Sequence, residues 1–443
     1  MPGWRRRKKK TVKPRRMAGV RKMLAGCFAA AILLGGTEVL WQNQIPDKIY
    51  VAEEGELETL KESWNLPLSS WITKEVVSNP AVQTSGKALA GLQREAGLSI
   101  KTDTQADTQI RCSFLGIVPV KNVEVCVKDP IQVYPGGKQV GIYMKTQGVL
   151  VVGTGKVTGS DGMSWEPARN VLQSGDYIVK VNGRNIATKK ELTEAVEQCQ
   201  GEELVLTINR DESYTDLKLS PVLTEGQEYR LGIWVRDDTQ GIGTLTYVDE
   251  EGNFGALGHG ISDVDTGTLL ELKNGRLYHA SILSLVKGLK GAPGELSGVI
   301  RYRKEELLGI IEKNTRCGLF GTLNENGTEY ETGELVETAY KQDVHTGKAV
   351  IRCAVAGELK DYEIEIEKVE AGGGNVNKNM VLHITDPKLL ELTGGILQGM
   401  SGSPILQDGK LIGAVTHVLV NQPDTGYGIF IENMLEAADT PAA

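Results

Sequence analysis

Strand-length apolar runs occupy most of this chain. From about residue 109, Ile117-Val118-Pro119-Val120, Val123-Glu124-Val125-Cys126-Val127 and Val149-Leu150-Val151-Val152 read as β-strands: short, rich in β-branched residues and bounded by turn formers. The period then changes. Leu192, Ala195 and Val196 recur at helical spacing within Lys189–Gln198, and a further strand is expected over Leu204-Val205-Leu206-Thr207-Ile208. Residues 223–443 return to strands and turns, with glycine-flanked runs at 241–248, at 254–260 and at Leu411-Ile412-Gly413-Ala414-Val415. Evenly spaced strands with few helices predict a barrel or a sandwich.

Upstream the pattern differs. Residues 42–107 are polar, and Val82-Gln83-Thr84-Ser85-Gly86-Lys87 has no core-forming period, so a linker or stalk is expected. Before it, residues 23–41 are almost wholly apolar, with Glu38 as the one acid and Trp41 at the far end. That length suits a membrane-crossing helix, either an uncleaved signal-anchor or a signal peptide.

Charge decides how the N-terminus is read. The chain has 443 residues and a net charge of −8, but residues 1–22 hold 11 Lys and Arg and no acid, which leaves 38 basic and 57 acidic side chains in the rest. A basic tip directly before an apolar span is a positive-inside signal, and it argues against nucleic-acid binding. The expected organisation is a basic cytoplasmic segment (1–22), a transmembrane signal-anchor (23–41), a stalk (42–107), a middle domain (108–222) and a C-terminal domain (223–443). Six cysteines at 27, 112, 126, 199, 317 and 353 show no metal-ligand spacing. Neither a disulfide framework nor a zinc site is supported by them, and a Cys112–Cys126 bridge stays open.

Within the middle domain, Ala168-Arg169-Asn170-Val171-Leu172 leads to Ser174-Gly175-Asp176-Tyr177-Ile178-Val179-Lys180-Val181-Asn182-Gly183. This resembles a PDZ domain over residues 136–222, with turn, strand and helix in that family's order. The resemblance implies capture of a peptide as an added strand, its terminus held by backbone N–H groups. Gly141-Ile142-Tyr143 is the candidate carboxylate-binding loop, where the family often has Gly-Leu-Gly-Phe. A PDZ fold used only as a spacer is the competing interpretation.

The chemistry centres on Gly399-Met400-Ser401-Gly402-Ser403-Pro404, one serine between glycines ahead of a short strand. Such a turn suits a nucleophile beside an oxyanion hole, here the backbone N–H groups of Gly399 and Ser401. A serine needs a base, and the chain has five histidines. His259, in Gly255-Ala256-Leu257-Gly258-His259-Gly260, has the glycine setting that aims an imidazole at a strand end, whereas His417 is expected to pack. His259 precedes Ser401 by 142 residues, close to the spacing of the chymotrypsin order. For the orienting carboxylate, Asp386 in Ile384-Thr385-Asp386-Pro387 is the candidate, with Asp263 and Asp265 as alternatives.

Taken together, the apolar anchor, the PDZ-like stretch, Phe254-Gly255-Ala256-Leu257-Gly258-His259-Gly260-Ile261, Ile384-Thr385-Asp386 and Gly395-Ile396-Leu397-Gln398-Gly399-Met400-Ser401-Gly402-Ser403-Pro404-Ile405 resemble the SpoIVB peptidase family of endospore formers. Gly413-Ala414-Val415-Thr416-His417-Val418 and Gly426-Tyr427-Gly428-Ile429 also resemble it. The resemblance implies a mainly β protein with a chymotrypsin-like double β-barrel, a serine endopeptidase in which Ser401, His259 and Asp386 are needed for activity. It further implies no metal or organic cofactor, and protein partners: the chain itself and a regulator of the membrane-embedded pro-sigma-K processing complex. The cuts would be made between forespore and mother cell and would activate late mother-cell gene expression. A PDZ-based adaptor with a degenerate protease fold is the alternative function.

Overall fold

The computed structural model describes residues 45–52, 72–78, 108–114, 117–331, 333–372 and 374–441. The basic tip, the expected anchor and most of the expected stalk lie outside the described residues. Among those described, no helix is long and apolar enough to cross a membrane. The chain divides into two compact units. In the first, the strands Ile72–Ser78, Thr108–Phe114 and Val118–Val127 form an antiparallel sheet. Two expectations change here. The stalk contains the strand Ile72–Ser78, and the runs at 117–120 and 123–127 belong to this sheet and not to the PDZ-like region, whereas Val149-Leu150-Val151-Val152 lies in Gln139–Thr154. No disulfide joins Cys112 to Cys126, and Cys199, Cys317 and Cys353 are free thiols.

The second unit is built on two six-stranded barrels. The first closes through Gln139–Thr154, Leu272–Val286, Leu307–Thr315, Gly318–Leu323, Asn253–Ala256 and Ile233–Asp249, the last pairing back onto Gln139–Thr154. Val140, Ile142 and Met144 alternate into its core with Leu245, Phe254, Leu277 and Leu319, as a period of two requires. The second barrel closes through Gly347–Cys353, Lys360–Val369, Met380–Ile384, Gln422–Phe430, Lys410–Leu419 and Pro404–Gln407. In it Tyr362, Ile364 and Ile366 turn inward, while Asp361, Glu363, Glu365 and Glu367 stay in solvent. Between the barrels, Tyr247 and Phe320 meet Leu411, Ala414, Ile429 and Met434, the last carried by the helix Ile431–Asp439.

A small module interrupts the first barrel. Its strands Tyr177–Val181, Leu204–Arg210 and Ser213–Leu219 and its helix Lys189–Gln198 enclose Val149, Val151, Ile178, Leu192, Val196 and Leu206. The helix begins with a capping box, Thr188 accepting from Glu191 N–H and the Glu191 carboxylate reaching back, which satisfies N–H groups that a helix start leaves unpaired. The expected boundary at 222/223 therefore misplaces the barrel, whose first strand starts at Gln139, far ahead of it. Two long strands, Gln139–Thr154 and Ile233–Asp249, pair from Thr154↔Ile233 down to Gln139↔Thr244, so they run through both module and barrel. Gly141-Ile142-Tyr143 is consequently no loop. It lies inside the first barrel strand, paired with Gln240, Gly241 and Ile242 on one side and Arg276, Leu277 and Tyr278 on the other. Both edges are occupied, so no peptide can add there.

Candidate active site

The serine turn and the histidine turn face each other across the barrel interface. In the first barrel, the strand Asn253–Ala256 ends in Leu257 and Gly258, with φ of +70° and +69°. A left-handed backbone is costly for a branched residue such as Leu257, and such strain concentrates at functional sites. This double turn redirects the chain so that His259 projects from it, half-buried.

In the second barrel, Gly402 has a φ of +96°, and a Cβ there would meet Thr244 O at 2.1 Å and Leu257 N at 2.5 Å. The absence of that one carbon lets the serine turn touch the backbone that presents His259. Thr244, fully buried, ties both turns together. Its N–H donates to Ser401 O at 3.0 Å, its hydroxyl to Gly399 O at 2.7 Å, and its carbonyl accepts from Leu257 N at 3.2 Å. The Thr246 hydroxyl adds a bond to Gly402 O at 2.8 Å. These two threonines went unread in the sequence, although Thr244-Leu245-Thr246 alternates one residue into the core and two toward the serine turn.

The Ser401 hydroxyl donates to Thr416 O at 2.8 Å. Backbone donors around it are otherwise used: Gly402 N–H bonds Val415 O, and Ser403 N–H bonds Met400 O. The N–H groups of Gly399 and Ser401 have no acceptor among the described residues, the state an oxyanion hole requires. Ser403 is fully buried with an unpaired hydroxyl, which removes it as a nucleophile reachable by substrate.

His259 Nδ1 lies 2.9 Å from Gly260 O. A carbonyl only accepts, so Nδ1 carries the hydrogen and Nε2 is left as the basic nitrogen. Burial lowers the His259 pKa below the usual histidine value, partly offset by the Gly260 carbonyl, which favours a neutral base. Beside it stands His417, its ring centroid 5.2 Å away and tilted by 37°. Burial, the positive charge that His259 can carry and the Lys378 ammonium push His417 down to about 4. The strand position assigned to His417 was anticipated, but its contact with the proposed base was not.

No hydrogen bond or ion pair among the described residues joins Asp386 to His259. Asp386 Oδ1 instead accepts the N–H groups of Lys388 and Leu389 at 2.8 and 3.0 Å, capping the helix Pro387–Thr393. The alternatives are engaged too, Asp263 and Asp265 both with Arg236. Of the remaining histidines, His279 faces Glu329, His345 pairs with Asp408, and His383 lies beside Thr425. The structure thus brings together Ser401, Gly399 and His259, adds His417, Thr244 and Thr246, and engages Asp386 elsewhere. Among the described residues, no cluster of His, Cys, Asp and Glu could hold a metal ion.

Residues 227–435 match the family described as SpoIVB peptidase S55. No curated protein matches the chain. Among solved structures, the Rv3671c protease of M. tuberculosis in its active form is similar at 11% identity, over 46% of this chain and 76% of that one, with a TM-score of 0.25. The HtrA-type protease AlgW with a decapeptide is similar at 13% identity, over 46% of this chain and 53% of that one, with a TM-score of 0.24.

Proposed function

Residues 227–435 of this serine peptidase belong to the SpoIVB peptidase S55 family, and on that premise we propose an exported endopeptidase that makes a signalling cut in few protein targets. Ser401 is the nucleophile, His259 Nε2 takes its proton, and the N–H groups of Gly399 and Ser401 receive the developing oxyanion. The observation that carries this reading is the contact of Gly402 with the Thr244 and Leu257 backbone, which sets the serine turn against the histidine turn. Attack requires the Ser401 hydroxyl to leave the Thr416 carbonyl for the imidazole. Asp386 supports the site by capping the helix from which residues 394–399 lead to Ser401.

The targets follow the family resemblance: the chain itself and a regulator of the membrane-embedded pro-sigma-K processing complex, cut in the space between forespore and mother cell. An N-terminal anchor would hold the enzyme there. The inserted module serves as a PDZ-like peptide site, with its groove in a different place from Gly141-Ile142-Tyr143. A cleft of about 560 Å³ opens between the helix Lys189–Gln198 and residues 228–235, lined by Leu192, Val196, Leu231, Gly232, Ile233 and Trp234. Leu231-Gly232-Ile233, with Gly232 at φ +68°, has the apolar-Gly-apolar form of a carboxylate-binding loop.

The test is self-cleavage of the full chain. Ser401→Ala should abolish it and should abolish labelling by a serine-directed fluorophosphonate. Cleavage that persists in a pure Ser401→Ala preparation would refute the assignment.

A further inference from the structure

The segment that presents His259 is held by residues from other parts of the chain. It leaves the strand Asn253–Ala256 and rejoins the barrel at Leu272. Asp263, with a fully buried side chain, organises its middle. Oδ1 accepts the N–H groups of Asp265 and Thr266 at 3.0 and 2.9 Å, and its own N–H donates to Thr268 O at 2.9 Å. Its other oxygen pairs with Arg236 Nη1, while Arg236 Nη2 reaches Asp265 Oδ2 at 3.0 Å. A buried carboxylate persists only when paired, so removing the guanidinium leaves this loop with an uncompensated charge at its centre.

Arg236 is not a residue of that loop. It lies on Ile233–Asp249 where this strand passes from the inserted module into the barrel, beside a shift in register against Gln139–Thr154. A second hold comes from the module itself. Leu270 is buried against Leu150 and Tyr177, with Ile261 packed on the same cluster, and the Tyr177 hydroxyl accepts Glu271 N–H at 3.1 Å. Asn314 completes the frame from the barrel side, bonding Ile261 N, Ile261 O and Leu270 O at 2.8–2.9 Å.

We propose that Arg236 is a positioning residue for the catalytic base, acting through Asp263, and that the inserted module is through Arg236 and Tyr177 part of the support that aims His259 at Ser401. The proposal rests on the reading of Ser401 and His259 as nucleophile and base. Arg236 touches neither reactant. Its effect is geometric, and a misplacement of about 1 Å at a reacting group costs on the order of 10²-fold in rate. The strand that carries Arg236 also carries Thr244 and Thr246, so one element fixes both turns of the site.

The test uses the full-length protein in detergent, with two readouts for each variant: the rate constant for labelling by a fluorophosphonate, and the thermal unfolding midpoint. Arg236→Met should slow labelling by about 30-fold while the protein remains folded at the assay temperature. Arg236→Lys keeps the charge but not the fork over two carboxylates, and should recover to within about 5-fold of the parent. Tyr177→Phe, on the module, should slow labelling by about 3-fold. Folded Arg236→Met that labels at the parental rate, with only a lowered midpoint, overturns the proposal in favour of a purely structural ion pair. Should Arg236→Met fail to fold, Arg236→Gln takes its place, and a parental labelling rate in that folded variant overturns the proposal equally. Labelling that survives in Ser401→Ala refutes the nucleophile assignment, and is thereby distinguished from a failure confined to Arg236.

Discussion

The two barrels place their functional residues by different means. The second is continuous, with six strands between Gly347 and Phe430, and Ser401 rides on a short glycine turn between its neighbours in sequence. The first begins at Gln139, breaks off into a module, and resumes at Ile233. Its His259 depends on partners from distant parts of the chain. Arg236 holds Asp263, Asn314 holds Ile261, and Asn377 of the other barrel's sequence donates to Gly258 O. The proposed nucleophile thus combines a local glycine turn with bonds from Thr244 and Thr246 on one strand of the other barrel, whereas the proposed base hangs on several separate segments, so perturbations far from the site should reach His259 by more routes than Ser401.

The largest effect should come from breaking the one contact where the two arrangements meet. Gly402→Ala inserts a carbon into the Thr244 and Leu257 backbone at a left-handed position. It should destabilise the fold by about 1–3 kcal/mol and lower kcat by on the order of 10²-fold. Chemical denaturation and kinetics on the folded fraction check both, and parental values would mean the turns do not touch.

Asp386 gives a sharper, intermediate case. A triad aspartate changed to Asn loses about 10⁴-fold in kcat. A helix cap changed to Asn keeps its acceptor, and changed to Ala costs about 1 kcal/mol of stability. The expected outcome is Asp386→Asn near parental activity, with Asp386→Ala less stable. A collapse of activity in Asp386→Asn would instead place this carboxylate on the imidazole during turnover.

Thr244→Val, nearly isosteric, removes the hydroxyl bond to Gly399 O while keeping both backbone bonds. It should cost about 1 kcal/mol and a severalfold loss in kcat, with KM little changed.

The smallest effects concern pH. As the proposed base, His259 would work only when neutral, and burial lowers its pKa. The acid limb of kcat/KM should therefore lie below the ordinary value of about 6.5. His417, pushed down to about 4, stays unprotonated in the folded protein while the unfolded chain takes up a proton from about pH 6.5 downward. Stability should fall as pH drops through that window, and His417→Gln should flatten the slope. An unchanged slope would show that His417 is not held in that environment.

Much of this was legible along the chain. The β-branched and apolar run Leu204-Val205-Leu206-Thr207-Ile208 specified a strand, and Leu192 and Val196 specified a helix face. The glycine settings of Ser401 and His259 marked backbone shapes that ordinary residues resist, and those shapes are present. Asp386 carried its own signal in Asp-Pro, a cap followed by proline at the first helical position, which competed with its family role. Gly141-Ile142-Tyr143 misled because a glycine beside apolar residues suits a binding loop and a closely packed strand alike. Leu231-Gly232-Ile233 has the same local form and lies in the module.

By itself, the sequence determined the local pieces: strands with their inward faces, a capped helix, and two glycine-shaped turns bearing a serine and a histidine. Those follow from the period of side-chain burial and from backbone sterics, which act within a few residues. Only the tertiary structure decided that the first barrel borrows a strand from before the module, that Gly402 abuts Thr244 and Leu257, and that Arg236 reaches Asp263. Such contacts join residues tens to more than a hundred positions apart. They arise from closing two barrels and packing them together, and no short window of sequence records that closure.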